Sequence, residues 1–172
     1  MWLVSKLEVV PRTYSFESSG QGKHRDEALA ADGEVLINMG HFVDWDEEPV
    51  QLLVCEACGT IGCESGNYLA VRRLGDFVAL VPSLDAYRAG ESEHAAPYVV
   101  RKKGAPLIRV DAWAGIRAAG FPLPAPDSIR QLRWDEAWLA AQFDAPYQLL
   151  GQPGQEAAVP LSSKVVATIP WM

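Results

Sequence analysis

At 172 residues, with 49% apolar side chains, 22% charged side chains and a net charge of -7, the chain has the composition of an ordered globular protein and is long enough to bury a sizeable core. No apolar run approaches the roughly 20 residues of a membrane-spanning helix, and the opening MWLVSKLEVV lacks the basic region, long apolar stretch and cleavage site of a secretory signal. A single soluble, cytoplasmic domain over residues 1–172 is therefore expected, and neither a disulfide nor a metal is needed merely to fold it.

The charge is uneven along the chain. Residues 1–86 carry 6 basic and 14 acidic side chains, whereas residues 87–172 carry 9 and 8. The acid is densest in D-W-D-E-E, at Asp44, Asp46, Glu47 and Glu48. This distribution repels a phosphate backbone, which argues against nucleic acid as a partner and suits a basic protein instead. There is no internal repeat at solenoid spacing.

In chain order, Leu3 to Val10 reads as a strand stopped by Pro11. The polar run SSGQGKHRDE at 18–27 reads as a loop leading into a short helical turn before Gly33. Glu34 to Phe42, EVLINMGHF, is a strand candidate, and the apolar run Val50 to Val54 leads into Cys55. The clearest local expectation is NYLAVRRLGDFVALVP, two runs rich in strand-forming residues around Gly75-Asp76, a dipeptide suited to a tight hairpin turn. Alternation should put Tyr68, Ala70 and Arg72 on one face and Leu69, Val71 and Arg73 on the other.

Tyr98 to Arg101 and Leu107 to Val110 are weaker strands. Asp111 can then cap a helix whose Trp113 and Ile116 share a face, with Gly120 as its stop. A second helix carries Trp134, Ala137, Trp138 and Ala141 as an apolar stripe predicted to dock on the sheet. Strands first and helices later predict an α+β domain: a mainly antiparallel sheet with a central hairpin at about 67–81, and two short helices in the C-terminal third.

Glycine signatures do not supply a nucleotide site. GQGK at 20–23 lacks the first glycine of a phosphate loop and has His24 where Ser or Thr would bind magnesium, and Gly59, Gly62 and Gly66 do not make G-x-G-x-x-G. G-x-S-x-G and H-E-x-x-H are also missing.

All three cysteines fall in CEACGTIGC at 55–63. The pattern C-x-x-C-G-x-x-G-C resembles the front of a retroviral-type zinc knuckle, whose glycines bend the backbone around the thiolates. The resemblance covers nine residues and implies zinc. The knuckle's last ligand position is Tyr68 here, and the surrounding charge is acidic, so nucleic-acid binding is not part of the implication. A Cys3His site would take Cys55, Cys58 and Cys63 with a remote histidine, His41 being preferred over His24 and His94. Two other readings stand beside it: reduced cysteines packed at a glycine-rich turn, and a redox pair or disulfide.

Two classes of function follow. One is a non-enzymatic protein-binding domain using the acidic surface at Asp44, Asp46, Glu47 and Glu48. In general character the chain resembles the immunity proteins and antitoxins that neutralise basic toxins. The other is a small cysteine-dependent enzyme, hydrolase or thiol redox, with a nucleophile from 55–63 and His41 and Asp44 as base and orienter. For that enzyme Glu56 and Glu64 are poor neighbours, because carboxylates raise a thiol's pKa.

Overall fold

The structure, a computed structural model, describes residues 1–16, 22–56, 58–59, 68–89 and 103–143. The N-terminal segment makes two strands where one is predicted. β1 (Trp2–Leu3) and β2 (Leu7–Phe16) are separated by Val4 to Lys6 and go to different sheets. Pro11 does not stop the second. β2 pairs antiparallel with β3 (Gly22–Ala31) from Leu7↔Ala31 to Phe16↔Gly22, with Pro11 opposite Glu27. β2 is the edge of a sheet ordered β2-β3-β4, where a proline's missing N–H can face away from the ladder.

The same pairing overturns the loop expected at 18–27 for residues 22–27, because a ten-residue partner strand outweighs their polar character. No helical turn precedes Gly33. Instead Asp32 (φ 49°) and Gly33 (φ 83°) make a two-residue turn into β4 (Glu34–Ile37), both in the positive-φ region that a type I′ hairpin requires. The Asp32 carboxylate accepts the amides of Ser5 (3.1 Å) and Lys6 (2.7 Å), which ties the β1–β2 link to this turn. The strand predicted to reach Phe42 ends at Ile37 and gives way to a 3-10 turn, Gly40–Phe42. The Phe121 ring lies against Gly40 so closely that a Cβ there would stand 2.5 Å from it.

The second sheet has the order β1-β8-β7-β6-β5, with β5 (Val50–Gln51), β6 (Tyr68–Leu74), β7 (Phe77–Pro82) and β8 (Pro106–Arg109). Only β1–β8 is parallel among these pairings. The predicted hairpin is present: Leu74 pairs with Phe77 across Gly75-Asp76, with Gly75 at φ 55°. Its faces separate as alternation requires. Leu69, Val71, Val78 and Leu80 enter the main core, while Ala70, Ala79 and Val81 pack with Ala105 and Ala140 on the opposite side. The expected strand Tyr98 to Arg101 lies outside the described residues.

Three α-helices with described bounds complete the fold: α1 (Leu84–Arg88), α2 (Val110–Ala118) and α3 (Trp134–Phe143). Arg109, not Asp111, occupies the N-cap of α2, and Asp111 sits in the first turn, where a carboxylate complements the helix dipole. Gly120 (φ 106°) ends α2 as predicted. Its amide bonds Arg117 O at 3.0 Å and that of Phe121 bonds Ile116 O at 3.3 Å, the two bonds of a Schellman cap.

Trp113 is fully buried, with Nε1 donating to Pro124 O at 3.0 Å. The apolar stripe of α3 is not the docked face. Trp134 is 65% exposed and Trp138 42%, while Glu136, Leu139 and Ala140 point inward. The main core joins both sheets, with Leu29, Leu36 and Ile37 of one beside Leu69, Val78 and Leu80 of the other. The fold is therefore α+β, with its helices in the C-terminal part. No helix among the described residues is long and apolar enough to cross a membrane.

Candidate functional site

Two open clefts lie beside the charged residues. The first, about 540 Å³, is bounded by the acidic stretch and by residues 122–130, and its walls include Trp45, Val50, Val71, Leu123 and Ile129. Arg72 of β6 lies at its base, 5% exposed, between two carboxylates. Arg72 Nε donates to Glu136 Oε1 at 2.8 Å, and both terminal nitrogens reach Glu48, which also pairs with Arg130. Glu136, 1% exposed, reaches back with its other oxygen to the Arg133 amide at 3.0 Å, satisfying a donor at the start of α3. Burial alone would lower the pKa of Arg72, but the hydrogen bonds and charges of Glu48 and Glu136 outweigh it and raise it further. Bonding to Arg72 holds Glu48 below the usual carboxylate value.

The four acids singled out in D-W-D-E-E thus divide. Glu48, its side chain 23% exposed, is tied to Arg72 and Arg130 in an ionic hub. Asp44, Asp46 and Glu47 are exposed and form no ion pair with another described residue, although Asp44 Oδ1 accepts the Asp46 amide at 2.9 Å and so shapes the turn. Asp46 and Glu47 line the first cleft.

The second cleft, about 520 Å³, lies on the β2–β3 hairpin and is lined by Pro11, Arg12, Thr13, Arg25, Asp26, Glu27 and His41. The 3-10 turn brings His41 over β3, where Nδ1 meets Asp26 Oδ1 at 2.7 Å. The Asp26 side chain is fully buried, yet the His41 side chain is 61% exposed. Burial pushes the Asp26 carboxyl up, and hydrogen bonds from His41 and the Glu27 amide outweigh this to hold it below its ordinary value. The bond to Asp26 in turn raises the pKa of His41. Among the described residues the buried Asp26 Oδ2 has no hydrogen-bond partner, with His24 Nε2 at 3.6 Å.

The cysteine loop is anchored to this hairpin. Asn38, 3% exposed, donates to Val54 O at 2.7 Å and accepts the Val54 amide at 2.9 Å, so its side chain imitates a strand partner. Glu56 pairs with Arg12 at 3.2 Å, and Gly59 packs on the Phe16 ring. Cys55 and Cys58 are half-buried, and Cys63 lies outside the described residues. Among the described residues no group of three or more His, Cys, Asp or Glu side chains is placed to hold a metal ion.

His41, the zinc ligand expected from the sequence, directs Nδ1 at Asp26; Asp26 also takes the orienting place expected of Asp44. His94, the third histidine, lies outside the described residues. Asp26, Arg72 and Glu136 carry the best-defined polar geometry, and sequence reading passed over all three. No protein-family model, curated protein or solved structure matches the chain.

Proposed function

We propose that the chain is a protein-binding domain whose first cleft, without catalysing a reaction there, receives a basic segment of a partner. The carrying observation is that Asp46 and Glu47 stand exposed and unpaired among the described residues at a cleft with apolar walls. An apolar centre with a charged rim is the anatomy of a recognition patch: the centre supplies affinity and the rim supplies association rate and partner choice. Asp44 extends the rim. Glu48 supports it from beneath, holding the acidic stretch to Arg72 and Arg130.

A basic cytoplasmic toxin, neutralised in the manner of immunity proteins and antitoxins, is the kind of partner this reading names. The test is affinity capture from host extract with the unmodified chain and with an Asp44→Asn, Asp46→Asn, Glu47→Gln variant. A basic protein released by salt from the first and missing from the second is the expected result. Equal capture by both, with the same salt dependence, would remove this surface from the proposal.

A further inference from the structure

The second cleft holds an arrangement that protein binding at the first does not use. Asp26 is a fully buried carboxylate whose Oδ1 fixes Nδ1 of His41 at 2.7 Å. The imidazole it fixes is 61% exposed and lines the cleft together with Arg12 and Arg25. An imidazole anchored through one nitrogen by a buried carboxylate is held in one tautomer and orientation, which leaves Nε2 as a positioned proton acceptor.

A second observation points the same way. Among the described residues the buried Asp26 Oδ2 has no hydrogen-bond partner, His24 Nε2 standing 3.6 Å away. A carboxylate serving only to pin the 3-10 turn would gain from satisfying both oxygens, and unsatisfied buried polar groups in folded proteins call for such an explanation.

We propose that His41 and Asp26 form a general-base site in the β2–β3 cleft, His41 as the catalytic residue and Asp26 as its positioning residue, acting on a phosphodiester whose charge meets Arg25 and displaces Glu56 from Arg12. The neutral Nε2 takes a proton from water as the water oxygen bonds to phosphorus. The bond from phosphorus to the leaving oxygen breaks, and its electron pair departs with the leaving group. The imidazolium then returns its proton to solvent through the open face of the cleft. The departing oxygen takes up a proton from solvent, so that a phosphomonoester and an alcohol or phenol result.

The groups governing His41 are Asp26 and Glu27, which favour its protonated form, with His24 across Asp26 and Arg12 opposite Asp26 on the neighbouring strand. Since only the neutral ring accepts a proton, the rate should rise with pH through an inflection above the ordinary histidine value of 6.5.

The experiment is hydrolysis of bis(4-nitrophenyl) phosphate by the full chain as a function of pH, alongside the ring-proton titration of His41 by NMR. His41→Gln replaces an exposed side chain and should keep the fold while lowering the rate by about 100-fold or more, the usual scale of a lost general base. Asp26→Asn should lower the rate and also move the His41 inflection down in both readouts, which a purely structural anchor would not do to a rate profile. Asp26→Glu should restore part of it. Turnover no greater than the blank, a His41→Gln rate equal to that of the unmodified chain, or an inflection unmoved in Asp26→Asn would each overturn the proposal.

Discussion

Each sheet carries one member of a pairing between a carboxylate and a cationic or ionisable side chain, Arg72 in one and Asp26 in the other, and the two pairings differ in how far the partner is exposed. In the five-stranded sheet Arg72 is sealed between Glu48 and Glu136, with 6% of its side chain exposed. In the three-stranded sheet Asp26 is sealed, while its partner His41 stands mostly in solvent. Similar chemistry therefore gives two outcomes. A buried cation with its charge matched on both sides can only hold elements together, whereas an exposed imidazole steered by a buried carboxylate keeps a nitrogen for other work.

The largest effect expected from breaking this contrast is at Arg72. Arg72→Met leaves buried Glu136 with only the distant Arg133 guanidinium, at 3.8 Å, and should cost about 3–5 kcal/mol in urea unfolding, as removal of one member of a buried pair does. The double change Arg72→Met, Glu136→Leu should recover part of the loss, because the remaining cost is packing rather than an orphaned charge. A loss under about 1 kcal/mol for the single variant would place the hub among ordinary surface pairs.

Next in size is Asn38→Ala. It removes both bonds to the Val54 backbone and should cost about 1–3 kcal/mol, the scale of leaving buried polar groups unpaired. Faster amide exchange at Val54 would accompany it.

The Asp26–His41 pair should give a smaller, pH-dependent effect. The folded-state pKa of Asp26 lies below its usual 3.8, so its contribution is present above that value and lost as pH falls through the lowered one. The folded-state pKa of His41 lies above 6.5, so its contribution is full below 6.5 and lost as pH rises through the raised value. The pair stabilises most between those limits. The alkaline decline should stay within about 1 kcal/mol because His41 is solvated, and Asp26→Asn should flatten both flanks of the stability profile.

The smallest effect is expected at the exposed aromatics of α3. Trp134→Ala should change stability by no more than about 0.5 kcal/mol, against about 3–5 kcal/mol for Trp113→Ala in the core. Comparable losses at both tryptophans would return the α3 stripe to the interior.

What was legible in the sequence was local. The β6–β7 hairpin is encoded within fifteen residues by two strand-forming runs and a turn dipeptide, and the stop of α2 by one glycine. Asp32-Gly33 carries a comparable turn signal for the β3–β4 hairpin, but the polar run before it hides the strand it closes. What was hidden depends on partners far along the chain. Lys23 to Glu27 become strand only because β2 lies beside them. Glu136 faces inward only because Arg72 waits there, 64 residues earlier, and that reverses the face assigned to α3. The sequence offers His41 the nearby cysteines and Asp44 as partners, whereas its observed partner is Asp26, 15 residues upstream.

The proposed role of the first cleft is tested most directly by titrating the isotopically labelled chain with a lysine- and leucine-bearing peptide and following backbone amide shifts. The account predicts saturable shifts at Trp45 to Glu47, Val71 and Ile129, weakened by salt and lost in the Asp44→Asn, Asp46→Asn, Glu47→Gln variant. Shifts that persist unchanged in that variant, or that avoid these residues altogether, would contradict it.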